Sequence, residues 1–264
     1  MKSVRLPATT LAVLIVAGAA AAAPPAQPRL TLPDPLPTRT VRVPILMYHR
    51  IADSPPSLPE VTRRLSVDPA MFAREMTWLK LHGRHTITQR QLFDALMLGS
   101  PLPARPVLIT FDDGYRGVYT HAEPVLARLG LHATAYVITS RISGPDPSFL
   151  TWRQLEKLEG VGVEIGSHTI SHADLTTLSD AQALAELVGA RRALEQHLGH
   201  PVQWLSYPGG SENAHVVALS RRAGYVLAVT TQPGSLQHAD QPLELRRYRI
   251  LDTTGVAAFA ALLG

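Results

Sequence analysis

From residue 41 onward, short apolar runs rich in Val, Ile and Tyr alternate with longer stretches whose apolar positions recur at helical spacing. That alternation predicts repeated βα units built on a parallel sheet. The runs that read as strands are 41–47, 106–111, 132–138, 161–165, 202–207, 225–230 and 245–250. Pro-Val-Leu-Ile at 106–109 is almost wholly apolar and suits a strand buried on both faces. Between the strands, one helix opens at Asp68 and Pro69, turns Phe72, Met76 and Leu79 to one face and stops at Gly83; the longest runs over 179–198 and is closed by Gly199. Seven strands of this kind predict an α/β fold of the distorted, incomplete (β/α) barrel type. In such a barrel, functional groups sit where strands end and loops toward helices begin.

Upstream of residue 41 the pattern changes. Lys2 and Arg5 precede an apolar stretch over 11–23, which reads as a secretory signal peptide with cleavage after Ala22. The stretch is shorter than the roughly 20 apolar residues of a spanning helix, so no stable membrane anchor is expected after cleavage. A secreted or periplasmic location follows. Residues 23–40 carry Pro24, Pro25, Pro28, Pro33, Pro35 and Pro37 and read as an extended Pro-rich spacer. The expected division is therefore 1–22 signal peptide, 23–40 spacer and 41–264 catalytic domain.

Composition narrows the chemistry. The 264 residues contain no Cys, which excludes disulfides, thiolate metal sites and a cysteine nucleophile. A formal net charge of +4 is too small a surplus to describe a nucleic-acid-binding surface. Any metal site must use His and carboxylate.

Four predicted strand ends carry polar or glycine-rich clusters: Tyr48-His49-Arg50, Asp112-Asp113-Gly114, Gly166-Ser167-His168 and Tyr207-Pro208-Gly209-Gly210. Two adjacent carboxylates at the end of a buried strand repel each other and resist desolvation unless a cation neutralises one. The plainer reading is a solvated Asp-Gly turn. His168 and His172 are four apart in HTISH, a spacing that brings both imidazoles to one face of a helical or turn-like segment. Two imidazoles and one carboxylate make an open three-ligand site of the kind catalytic zinc uses. With eleven histidines in the chain the pair alone is weak, and its position after a strand gives it force.

TFDDGY at 110–115, HTISH at 168–172 and YPGG at 207–210, in that order on successive strand ends, resemble the polysaccharide deacetylases of carbohydrate esterase family 4. ILMYHRI at 45–51 and SVDPAMF at 66–72 resemble the branch of poly-N-acetylglucosamine deacetylases. The resemblance covers residues 41–251. It implies a metal-dependent removal of acetyl from an N-acetylated glycan polymer, with Asp113, His168 and His172 as metal ligands and Asp112 as catalytic base. One divalent ion is implied, Zn2+ by ligand type, with Co2+ or Ni2+ able to substitute. The backbone N–H of Gly209 matches an oxyanion donor, and Pro208 fixes the turn that aims it.

The chain departs from that pattern in three places. Ser206 stands where many members have an arginine, Gly209 where many have an aromatic, and the terminal Leu-x-His motif is absent from LELRRYRIL at 243–251. The missing acid is assigned to His49, at the end of the first strand, with His238 as runner-up. The missing arginine is assigned to Arg247, which shares a strand face with Leu245 and Arg249; a surface arginine is the competing reading. Tyr115, Tyr207 and Pro208 are candidate substrate contacts, and Trp152 a weaker one, although such aromatics more often serve packing. The expected function is an exported N-deacetylase of N-acetylglucosamine-containing polysaccharide. An O-acetyl esterase of xylan type and a non-catalytic glycan-binding module are the alternatives.

Overall fold

The computed structural model describes residues 28–264. Its main sheet contains β1 (Ile45–Tyr48), β2 (Pro106–Phe111), β3 (Ala133–Val137), β4 (Val163–Ser167), β5 (Trp204–Ser206), β6 (Leu227–Val229) and β7 (Tyr248–Arg249). The strands lie in the order β6-β5-β4-β3-β2-β1-β7, and every pair is parallel. The sheet curls into an incomplete barrel. Its two edges are spanned by the last segment: Leu245 forms a parallel bridge to Val229, and Tyr248 and Arg249 pair with Leu46 and Met47 of β1.

Strand alternation sorts side chains to two layers. Outward-facing Leu46, Tyr48, Ile109, Phe111, Ala133 and Val137 are buried against Phe72, Met76 and Leu79 of α1 (Pro69–Leu81). Inward-facing Ile45, Leu108, Tyr136, Leu227 and Val229 pack on Leu92, Phe93, Leu96 and Met97 of α2 (Gln89–Leu98), which fills the mouth at the strands' N-terminal ends. The remaining helices are α3 (Glu123–Leu129), α4 (Trp152–Glu159), α5 (Asp180–Leu198), α6 (Ala214–Arg222) and α7 (Val256–Leu263). Capping signals act where the sequence puts them. Asp68 accepts from the N–H groups of Ala70 and Met71 at 2.9 and 3.0 Å, and Gly99 and Gly199 close α2 and α5 in the left-handed conformation.

Among the departures from expectation, three concern the first strand, the fourth strand and the proline-rich segment. Pro44 lacks an N–H and divides the run at 41–47: Thr40–Arg42 pairs antiparallel with Leu236–His238, and β1 starts only at Ile45. The fourth strand runs two residues later than 161–165, because Gly166 is a strand residue facing Tyr136 and not a turn. A Cβ there would lie 2.5 Å from the tyrosine ring. Residues 28–40 are not a free spacer. Leu30, Leu32 and Leu36 pack on the inner core, and Leu30 exchanges hydrogen bonds with the Gln203 side chain at 2.7 and 2.8 Å. The expected signal peptide lies outside the described residues.

One buried carboxyl lies under the sheet away from the barrel mouth. Glu75 on α1 accepts the Tyr48 hydroxyl at 2.8 Å through Oε2, while Oε1 has no partner. Burial pushes its pKa up to about 7, against an ordinary 4.5. The proton it retains therefore favours the fold fully below pH 4.5, and that contribution is lost as pH rises through 7. Glu75→Gln should stabilise the chain at pH 8 relative to pH 5 by on the order of 1–3 kcal/mol when compared with the parent. Denaturant titrations of both proteins at the two pH values measure this; equal differences at pH 5 and pH 8 would contradict it.

Candidate metal centre and active site

Phe111 faces the outer helices, so Asp112 one residue later faces the barrel interior at the strand's C-terminal end. There it is 3 % exposed, an environment in which an unpaired carboxylate would not stay ionised. Arg247, 1 % exposed, meets it with a two-pronged contact: Nη1 donates to Oδ1 at 2.8 Å and Nη2 to Oδ2 at 2.7 Å. The guanidinium is held in turn by the Thr230 carbonyl at 2.8 Å and the Thr110 and Ser206 hydroxyls, both at 3.1 Å. Ser206 also donates to Asp112 Oδ2 at 3.2 Å. Burial acts to raise the Asp112 pKa, but the charge and hydrogen bonds of Arg247 outweigh it and hold the carboxyl well below the usual range.

Asp113 turns the other way. Its φ of 75° places it in the left-handed region, and Gly114 follows at 81°, where a Cβ would crowd Val137 at 3.1 Å. This turn carries the Asp113 carboxylate toward HTISH, which forms a loop and not a helix. Thr169 and His172 also have positive φ, 63° and 65°. Such strain in non-glycine residues costs of order 1–3 kcal/mol each, and the surroundings enforce it. Glu186 on α5 accepts from the N–H groups of Ile170 and Ser171, both at 2.9 Å, and His172 N–H donates to Thr169 Oγ1 at 3.1 Å.

The two imidazoles converge on one oxygen, with His168 Nε2 at 3.4 Å and His172 Nε2 at 3.6 Å from Asp113 Oδ1. His168 Nδ1 lies 2.7 Å from the Ser206 carbonyl, which can only accept, so Nδ1 carries a proton and, in the neutral ring, Nε2 presents the lone pair. Ligand bonds of about 2.1 Å at tetrahedral angles put neighbouring ligand atoms about 3.4 Å apart. The three residues offer ligand atoms within 4.8 Å of one another and fit a divalent cation.

His49 adjoins the site. It is 8 % exposed, its Nδ1 has no hydrogen-bond partner, and burial lowers its pKa against the pull of Asp112 and Asp113. Asp112, Asp113, His168, His172, Arg247 and His49 thus come together. Gly209, exposed and with φ 63°, heads the neighbouring loop, and Pro208 before it is buried. Tyr207 is not a substrate contact. Ser206 faces the interior, so period-two alternation turns Tyr207 outward, fully buried among Leu187, Leu205, Val216 and Leu219. His238 is also misassigned as an acid: it pairs with Thr40 at 3.2 Å, in the strand pair that precedes β1 at the opposite end of the barrel. Trp152 stacks on His197 at 3.8 Å and packs on the outer core. Sequence reasoning missed Thr110 and Glu186, whose roles depend on neighbours distant in the chain, and noted Ser206 only as a departure.

The family model for polysaccharide deacetylases matches residues 99–228. The Bacillus subtilis protein YxkH, named for that family, is 30% identical over 223 residues, covering 84% of this chain and 76% of its own. A poly-beta-1,6-N-acetyl-D-glucosamine N-deacetylase of Escherichia coli is 29% identical over 121 residues, 40% of this chain and 18% of that protein. The Streptococcus pyogenes deacetylase PplD in complex with acetate matches with a TM-score of 0.79 and 28% identity, over 86% of this chain and 100% of that one.

Removing the guanidinium alone should strand a buried charge. Arg247→Met is expected to cost about 3–5 kcal/mol of stability, and Asp112→Asn in the same chain to restore much of it. Denaturant unfolding of the parent, both single variants and the double variant measures the coupling. Additive losses would show that the two side chains do not depend on each other.

Proposed function

Because the chain belongs to the polysaccharide deacetylase family, we propose that it is an exported, metal-dependent N-deacetylase acting on N-acetylglucosamine-containing polysaccharide. The observation that carries this reading is an arginine-clamped carboxylate beside three residues, Asp113, His168 and His172, whose ligand atoms lie within 4.8 Å of one another. The apolar stretch at 11–23 supports export, and the E. coli relative's name supports the glycan class.

In this reading Asp113, His168 and His172 hold the ion. When bound, Zn2+, or Co2+ or Ni2+ in its place, polarises the acetyl carbonyl and makes water more acidic. Asp112 accepts a proton from the attacking water. Arg247 keeps both carboxylate oxygens oriented and outweighs the effect of burial on the Asp112 pKa. The Gly209 N–H stabilises the charge that develops on the carbonyl oxygen. An amine leaves only when its nitrogen is protonated, and the proton taken by Asp112 is returned there through His49, whose pKa burial lowers against the pull of Asp112 and Asp113.

Purified protein should release acetate from N-acetylglucosamine oligomers, lose that activity on chelation and regain it with added Zn2+. His168→Ala and His172→Ala should lose the metal by elemental analysis. Preferential release from acetylated xylan would favour the esterase reading, and binding of oligomers without release would favour a glycan-binding module.

Asp112→Asn should retain metal and a folded state, less stable than the parent because the buried Arg247 loses its counter-charge, while turnover falls by about 10²–10⁴-fold, because an amide takes no proton at neutral pH. His49→Ala should slow N-acetyl hydrolysis much more than hydrolysis of an acetyl ester, whose leaving group needs less protonation. Parental turnover in either variant on N-acetylated substrate would remove that residue from the mechanism.

A further inference from the structure

Residues 245–249 cross the open seam of the barrel, and their hydrogen-bond partners change along the way. Leu245 is held from the β6 side, where its N–H donates to the Ala228 carbonyl and its own carbonyl accepts from the Thr230 N–H, both at 2.9 Å. Tyr248 and Arg249 are held from the other side, by β1. The Arg246 backbone, between the two, is bound by a side chain. Its N–H donates to Gln237 Oε1 at 2.9 Å, and its carbonyl accepts from Gln237 Nε2 at 3.0 Å. The same Nε2 also donates to the Val43 carbonyl at 3.0 Å. An amide side chain thus stands in the seam where a strand would otherwise supply the partners.

Gln237 is 1 % exposed, and both donors of its amide are used. A buried amide is tolerated only where its partners are present, so the three bonds hold one another in place. The base of the side chain is fixed as well: Leu236–His238 pairs antiparallel with Thr40–Arg42, and the Val43 N–H donates to the Ser235 carbonyl at 2.8 Å. The residue so clamped immediately precedes Arg247. All five N–H donors of the Arg247 guanidinium are spent, one on the Thr230 carbonyl, two on the Asp112 carboxylate and one each on the Thr110 and Ser206 hydroxyls. None remains for a substrate. What Arg247 supplies is therefore placement of a charge, and a two-pronged contact at 2.7 and 2.8 Å leaves little room for its backbone to shift.

We propose that Gln237 is a positioning residue for Arg247: it clamps the peptide groups of Arg246, holds Arg247 in register with Asp112, and ties both to the strand pair at the opposite end of the barrel. The proposal rests on the deacetylase reading for the step that the clamp serves. From the β6 side Arg247 is held by its own N–H, which donates to the Gln232 carbonyl at 2.8 Å, and by Nε on the Thr230 carbonyl. Gln237 holds the segment from the other side, so its loss leaves the arginine braced on one side only. A displacement of about 1 Å near reacting groups can cost about 100-fold in rate. Gln203 offers a matched contrast. It is also buried, and its amide makes three backbone hydrogen bonds, accepting from the Leu30 N–H at 2.7 Å and donating to the Leu30 and Gly224 carbonyls at 2.8 and 3.3 Å. None of these lies in the segment that carries Arg247.

The test compares the parent with Gln237→Met, which keeps the length of the side chain and removes its hydrogen bonds, and with Gln203→Met as the control for lost stability alone. Hydrogen exchange at Arg247 Nε–H, followed by nitrogen–proton correlation NMR and assigned by the loss of its signal in Arg247→Lys, reads the placement of the guanidinium without any need for turnover. Exchange should be about 10-fold faster or more in Gln237→Met and within about twofold of the parent in Gln203→Met. In acetate release from N-acetylglucosamine oligomers, Gln237→Met should lower kcat about 10- to 100-fold with KM within about threefold, while Gln203→Met keeps kcat within about threefold. Gln237→Asn, too short to reach both Val43 and Arg246, carries the same expectations if the methionine variant does not fold. Parental exchange or parental kcat in a folded Gln237 variant, an equal change in Gln203→Met, or failure of both Gln237 variants to fold would overturn the positioning role. Faster Arg247 exchange in the Gln237 variant, with no acetate release from any oligomer by the parent, would overturn the deacetylase reading and leave the clamp standing.

Discussion

Asp112 is a buried carboxylate with a second carboxylate beside it, and the arrangement is tenable only because a guanidinium reaches it from the far end of the chain. Arg247 lies 135 positions away and comes from the segment that bridges the two edges of the open sheet. The segment that ties the two sheet edges together therefore also supplies the charge that neutralises the carboxylate. A buried pair of this kind is poor as a source of stability, since desolvation offsets most of the attraction. Its value lies in fixing the orientation of a charged group that would otherwise be expelled or protonated.

Around that pair, strand parity decides what each residue does. Thr110, Asp112 and Ser206 point inward and share hydrogen bonds with Arg247, while Phe111, Leu205 and Tyr207 point outward and build the cores under the helices. A serine at 206 leaves room for the arginine to cross the barrel and supplies a hydroxyl that donates to Asp112 and accepts from Arg247. Its carbonyl orients His168. One short residue thus links the base to the cation site.

The cation site rests on backbone conformations that side chains ordinarily avoid. Asp113, Thr169 and His172 all adopt positive φ, and the loop that carries the two histidines is tied to α5 by Glu186 and to the residues after β3 by hydrogen bonds from Thr139 and Ser140. Strain held in place by second contacts keeps ligands apart at cation spacing rather than letting them collapse into ordinary hydrogen bonds.

Short-range regularities were legible in the chain. The alternation of strands and helices, the Asp68 and Gly199 caps and the strand-end position of Asp112, Asp113, His168 and His172 follow from side-chain period and turn chemistry, which act over a few residues. The place of Arg247 was partly legible, as an inward position in a period-two run, but its partner was not. Tyr207 and His238 were misplaced because polarity and proximity to a motif say nothing about which face of a strand is inward or which end of the barrel a hairpin occupies. Residues 28–40 read as a spacer because proline content predicts extended backbone and is silent on what Leu30, Leu32 and Leu36 pack against. The sequence by itself determined the repeating units and the chemistry available at their ends. Only the tertiary structure decided which of those groups meet, because sheet curvature and strand register bring together residues separated by more than a hundred positions, and no local pattern encodes that register.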